Sequence, residues 1–379
     1  MESLVKLNVR LQKVQLLKLV DVYEQLIQVT PPYSRFKAIY LISQLEERSC
    51  PLVQVPYYDE LQELYEEEFK FALSKSLDIQ SPQALLQIAR SLQKAKYLDQ
   101  KLLNNIFLIF RVITSYDQFQ EIRPQEIHKI NEASELLQIF THFSIENKIL
   151  SQDIKALIPK LLELKDLEDI QVSRIKKICL RYLRYQLLYL DKGSDNIDLI
   201  KEIIRHILLL NKKQPNIKDF NQLYQAILVL KPHIKGFQQG IEENLHNIWN
   251  NSFQSSIVSK FEQDVYDIAK KIYPDCKTNT IDSSGQEVDI MILIDQINPD
   301  GINEKTLKIA IEVNGVYHYS RNSENQMGRD KIKTKILENL GYFVVDVPYY
   351  HWYIVEDAKK EEFLRDKIRL SLQNRSNNQ

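Results

Sequence analysis

The sequence predicts an α+β multidomain protein: α-solenoid-like helical repeats over residues 1–250, a small α/β module over 251–372, and a disordered tail over 373–379. Three observations predict it. Only 8 glycines occur in 379 residues, as expected of a mostly helical chain with few tight turns. Leu, Ile, Tyr and Phe recur at three- and four-residue spacing as far as about residue 250, the period of a helix with one buried face. Beyond that point the apolar residues gather into short β-branched runs bounded by turn residues, the pattern of buried strands.

The first stretch, MESLVKLNVRLQKVQLLKLVDVYEQL, puts Leu4, Leu7, Leu11 and Val14 at helical spacing. It carries Lys6, Arg10, Lys13 and Lys18 against a single acid, Glu2, before Asp21. It reads as a first amphipathic helix. A basic, acid-poor start also suits a mitochondrial targeting segment, although the usual Arg and Ser richness is missing. Ser81-Pro82 then opens a helix, with Ser as cap and Pro at the first helical position. A turn near Tyr97-Leu98-Asp99 leads into its partner helix. Similar helices follow from Arg123, from Ser151 and from Ile217. Two-helix units of this kind bury their apolar faces on their neighbours, as in a solenoid. Their uneven spacing leaves an irregular bundle as the alternative.

One helix differs from the rest. RIKKICLRYLRYQLLYL interleaves Arg174, Lys176, Lys177, Arg181 and Arg184 with Tyr182, Tyr185 and Tyr189. Cations of this kind neutralise phosphates and tyrosine rings stack on unpaired bases. The competing reading is a solvated face with its tyrosines half in the core.

After Trp249-Asn250, SSIVSKFEQDVYDIAKKIYPDCK reads as an amphipathic helix, Ser283-Ser284-Gly285 as a turn and EVDIMILIDQI as a strand. Asn298-Pro299-Asp300-Gly301 is a second turn. KIAIEV and FVVDV are two further strands, with a helix between them that Gly341 stops. Ala358 to Leu372 returns to helix.

Composition excludes several classes. The chain is 44% hydrophobic and 27% charged, ordinary for a folded protein. A net charge of -1 gives no global attraction to nucleic acid, so any basic surface must be local. Cys50, Cys179 and Cys276 lack metal or redox spacing and fit a reducing compartment. No apolar run reaches the length of a membrane span.

Asp289 lies in one strand and Glu312 at the end of the next. Two carboxylates on adjacent strands can hold Mg²⁺, and a metal so held activates water for phosphodiester cleavage. His318 follows closely, placed for general acid or base work, and Glu262 can join as an outer carboxylate. At Asn314, where a nuclease would put a lysine, the side chain is a neutral amide. Ordinary solvent-facing carboxylates are the competing reading.

IEVNG with His318, the KIKTKILENLGY helix and the VVDVPYYHW ending together carry a resemblance. The module resembles the PD-(D/E)xK nuclease fold and, more closely, the RAP domain that follows helical repeats in organellar RNA-binding proteins. The likeness spans about residues 308 to 353. It departs at Asn314, where many members have Asp, and at His351, where an acid is common. The repeats before it look like those of FAST-kinase-like proteins. The resemblance implies a mitochondrial protein acting on RNA, in RNA maturation, ribosome assembly or translation, and needing no cofactor. Its partners would be ribosomal or messenger RNA, and ribosomal or other large-assembly proteins. RNA would then meet Tyr317, Arg321, Arg329, Lys331, Lys333 and Lys335, with Arg181 and Arg184 on the helical repeats. Trp352 and Tyr350 are better read as core. Two other readings stay open: a structural subunit of a large assembly such as the mitochondrial ribosome, and a Mg²⁺-dependent endonuclease using Asp289, Glu312 and His318. Against the last, the missing cation removes stabilisation of transition-state charge.

Overall fold

Side-chain caps set where the helices begin. Ser81 Oγ accepts from the Ala84 N–H at 3.4 Å, Asp99 Oδ1 from Leu102 at 2.8 Å and Asn147 Oδ1 from Leu150 at 3.0 Å. In this computed structural model, residues 11–49, 60–75, 78–190, 193–213, 216–230, 239–252, 258–296 and 305–376 are described. The basic segment at residues 1–10 lies outside them. The chain divides into two units. One comprises the described residues up to Leu210 together with Tyr319–Gly328, and the other Asn211–His318 with the described residues from Arg329 onward.

The first unit holds α1 (Lys13–Leu26), α2 (Pro32–Ser49), α3 (Glu60–Lys75), α4 (Pro82–Ala95), α5 (Gln100–Thr114), α6 (Ile127–His142), α7 (Lys148–Leu162), α8 (Asp169–Leu188) and α9 (Ser194–Lys213). Alternate helices lie side by side: α2 on α4, α4 on α6 and α6 on α8. That is how stacked two-helix units pack. Leu85, Leu92, Ile106, Phe110, Leu137, Phe140, Ile158 and Tyr182 fill the space between them. Arginine forks tie helices two apart. Arg90 grips Glu135 at 2.5 and 2.8 Å, and Arg111 grips Asp153 at 2.8 and 3.2 Å. The helix expected from Ser151 starts earlier, at Lys148, because Asn147 supplies the cap.

Residues 319–328 belong to this helical unit. Arg321 and Glu46 form an ion pair at 2.5 Å, their side chains 4% and 3% exposed. Tyr65 donates to the other Glu46 oxygen at 2.9 Å, and the Arg321 guanidinium lies 4.9 Å from the Tyr65 ring. Asn322 pairs with both backbone groups of Leu98, at 2.8 Å each. Gly328 comes so near the Thr141 carbonyl that a Cβ there would sit 1.9 Å from the oxygen.

The second unit holds α10 (Ile217–Leu230), α11 (Gln239–Ser252), α12 (Lys260–Ile272), β1 (Lys277–Ile281), β2 (Glu287–Gln296), β3 (Lys305–Asn314), α13 (Gly328–Asn339), β4 (Tyr342–Pro348), α14 (Tyr349–Trp352) and α15 (Lys360–Ser376). The sheet order is β1-β2-β3-β4, antiparallel except for the parallel β3–β4 pair. On one face Ile290, Ile292, Ile309, Ile311, Val313 and Val345 meet α12 and α15, with Trp352 fully buried among them. On the other, Ala310 and Met291 pack with Leu337 of α13.

Two boundaries and one strand differ from expectation. The helices α10 and α11 fall with the sheet, so the chain divides near residue 210 and not 250. Tyr224 donates to the Ser284 carbonyl and Trp249 Nε1 to the Gly285 carbonyl, both at 2.7 Å, which fastens these helices to the β1–β2 turn. Gly285 takes a φ of +77 there. A fourth strand, β1, was not evident in KTNTI. The last helix runs on to Ser376, past residue 372, since no breaker interrupts it and Ser371 bonds the Val344 carbonyl at 2.9 Å; residues 377–379 lie outside the described ones. Among the described residues, no helix is long and apolar enough to cross a membrane.

Candidate functional site

Strand alternation decides which side chains reach the α13 face of the sheet. Ile290 pairs with Ile311 in antiparallel register, so Asp289, one residue before Ile290, and Glu312, one residue after Ile311, lie side by side on the opposite face. Asn314 follows two residues after Glu312 on that face. Into this face α13 sends Lys333. Its Nζ contacts Glu312 Oε2 and lies 3.3 Å from Asp289 Oδ1. Asp289 Oδ2 accepts the Val313 N–H at 2.8 Å, and Asn314 Nδ2 donates to Asp346 on β4.

Glu312 is 4% exposed, and its Oε1 is buried without a hydrogen-bond partner. Burial, followed by the neighbouring Asp289 charge, pushes its carboxyl up to about 8, with Lys333 pulling the other way. Lys333 is held above its ordinary value: burial opposes its charge, but Glu312 and Asp289 outweigh burial. At neutral pH Glu312 is therefore held mainly protonated beside a charged Lys333.

Beside it, His318 Nδ1 lies 2.9 Å from Asp330 Oδ1 in the first turn of α13. Burial works against the Asp330 charge, but the His318 and Arg329 partners hold its carboxyl below the usual range. Glu262, considered as an outer carboxylate, accepts the Ser259 N–H at 2.7 Å in the capping box of α12. Burial pushes it up.

Mg²⁺ requires close to octahedral oxygen coordination. Here two carboxylates are available, one oxygen of Asp289 is taken by a backbone N–H, and an ammonium group already lies between the pair. Among the described residues, no three His, Cys, Asp or Glu side chains form a metal-holding group. The donor set as arranged does not fit the ion.

The basic residues separate. Lys331 and Lys335 lie one turn apart on α13, each lowered by burial, while Lys333 turns inward. Arg329 is exposed, 3.4 Å from Asp330 and 3.4 Å from the carbonyl of half-buried Tyr317. Arg321 is enclosed with Glu46 in the helical unit. Arg181 gives its donors to Gln138 at 2.8 Å, Ser134 at 2.9 Å and the Asn131 carbonyl at 3.0 Å, and Arg184 is half-buried. Sequence reasoning missed Lys333 as the partner of Asp289 and Glu312. The only signal was its place in a helix that follows the Glu312 strand.

Residues 311–367 match the family described as RAP domain. The chain carries a RAP domain. The match takes in Glu312, Asn314, His318 and Lys333, and the RAP domain's helix, last strand and the first part of α15 as far as Lys367. Asp289 lies before it, so the carboxylate pair is completed from outside the matched segment. RAP domains are associated with RNA binding. No curated protein matches the chain.

Proposed function

We propose that the protein is a noncatalytic RNA-binding protein of mitochondria, acting in RNA maturation, ribosome assembly or translation. The RAP domain over residues 311–367 carries the RNA reading. The noncatalytic part rests on Lys333, whose ammonium lies between the two carboxylates that a nuclease would give to a metal. Mitochondrial action is supported by the resemblance of the RAP domain to those of organellar RNA-binding proteins. Arg329, Lys331 and Lys335 supply the cations around α13 that phosphates would meet.

Lys333 also favours a second reading. It provides, from α13, the cation that Asn314 lacks, so Asp289, Glu312 and Lys333 together match the residue types of a nuclease, although Mg²⁺ would fit there only with Lys333 moved out from between the carboxylates. Incubating the full chain with structured and single-stranded RNA in Mg²⁺ separates the two readings. Salt-dependent binding without cleavage supports the first; cleavage lost on Glu312→Ala supports the second. Immunolocalisation tests the compartment, and a signal confined to the cytosol or nucleus refutes it. Sedimentation of organelle lysate then distinguishes a free RNA-binding protein from a subunit held in ribosomal particles.

A further inference from the structure

The tyrosines of α8 have not been used by the site above. Between α7 and α8 a cleft of about 330 Å³ opens. This is at the small end of ligand pockets, which run roughly 300–1,000 Å³. Its inner lining is Tyr185, 2% exposed, with the Gln186 amide and the Ser151 hydroxyl, 2% and 8% exposed. Gln186 Oε1 accepts from Asn196 Nδ2 at 3.1 Å, and its Nε2 donates to Ser151 Oγ at 3.4 Å, a long bond. Half-buried Tyr189 forms the outer wall, its ring 5.0 Å from that of Tyr185 and tilted by 45°.

The mouth of the cleft carries charge. Lys148 and Lys155 of α7 stand there, as does Glu146, which lies 3.9 Å from Lys148. The N-terminus of α7 opens at the same place, capped by Asn147, and adds partial positive charge. So the cleft combines aromatic walls, an amide and hydroxyl lining, and a net positive mouth.

We propose that this cleft takes one unpaired base of a single-stranded RNA, a subsite that rests on the RNA-binding reading above. Tyr189 offers a ring face to a planar base, and the amide and hydroxyl at the inner end can meet polar atoms on its edge. Lys148 and Lys155 lie where the attached phosphates would pass. A lipid or a peptide side chain has less use for this combination of stacking ring and planar hydrogen-bonding end. The basic helix is thereby divided in role: Arg181 holds α8 to α6, and the tyrosines at its far end receive the ligand.

The test uses the full chain and a short single-stranded RNA, with affinity read by fluorescence anisotropy across a salt series. Tyr189→Ala is expected to weaken binding about ten-fold, within the range for losing one stacked base, and Tyr189→Phe to keep the affinity. Lys155→Ala should weaken binding for all sequences and reduce the salt slope by about 1. Thermal unfolding of each variant checks that the helical unit is intact. A photoreactive uridine in the same RNA should crosslink to the segment 185–190. If the wild-type chain binds RNA but Tyr189→Ala binds equally well, or crosslinks fall only elsewhere, the cleft proposal is overturned and the RNA reading stands. If the wild-type chain binds no RNA, the RNA reading fails and the cleft proposal fails with it.

Discussion

Lys333 is one ammonium facing two carboxylates, and that imbalance has measurable consequences. Removing it as Lys333→Met leaves Asp289 and Glu312 adjacent with no cation. The expected loss is about 2–3 kcal/mol in chemical denaturation, below the roughly 3–5 kcal/mol of a fully buried pair, since Lys333 is 31% exposed. Glu312 gives a pH signature. Its folded pKa of about 8 lies above the unfolded value of about 4.3. Below the lower value both states hold the proton. Between the two the unfolded chain ionises first, so this group's contribution falls as pH rises, and above about 8 its penalty is constant. Glu312→Gln should therefore flatten the decline in stability between about pH 4.3 and 8 and gain most over wild type at the alkaline end. A wild-type profile unchanged by this substitution would show that Glu312 is ionised in the fold. At this scale the sequence showed the carboxylates and not their cation, because Lys333 is 21 positions from Glu312 and only the packing of α13 on the sheet joins them.

The segment 319–328 is short, yet it belongs to the helical unit through a buried charge pair and backbone contacts. Arg321→Met removes the partner of a Glu46 that is 3% exposed, so a loss of about 3–5 kcal/mol is expected from thermal unfolding. Glu46→Gln in the same chain should recover part of it. Gly328→Ala meets a backbone carbonyl at 1.9 Å and is expected to lower the melting temperature as well. If both substitutions leave unfolding unchanged, the segment is not seated as described. Elements were unevenly legible. Ser81-Pro82, the amphipathic period of α12, and the β-branched runs of β2, β3 and β4 declare themselves locally. β1 does not, since KTNTI is a polar edge strand with no buried residue to give it a period. Arg321 reads as part of a basic patch because the acid that captures it lies 275 positions away.

At the scale of the chain, helical repeats followed by an α/β module were legible from composition and periodicity. The limit between them was not, because α10 and α11 have the same helical period as the repeats but bond to the β1–β2 turn. A chain begun at residue 211 should thus be more stable than one begun at 251 by about 2 kcal/mol or more, measured by urea denaturation. Equal stability would return the boundary to residue 250. The central claim is that the molecule holds RNA and does not cut it. Its most direct test is a binding and cleavage measurement on one sample: the full chain, labelled RNA and Mg²⁺, read by gel shift and by denaturing gel. Shifted RNA that remains intact, with affinity falling as salt rises, is the expected result. RNA that is cleaved by the wild-type chain and spared by Glu312→Ala would contradict it.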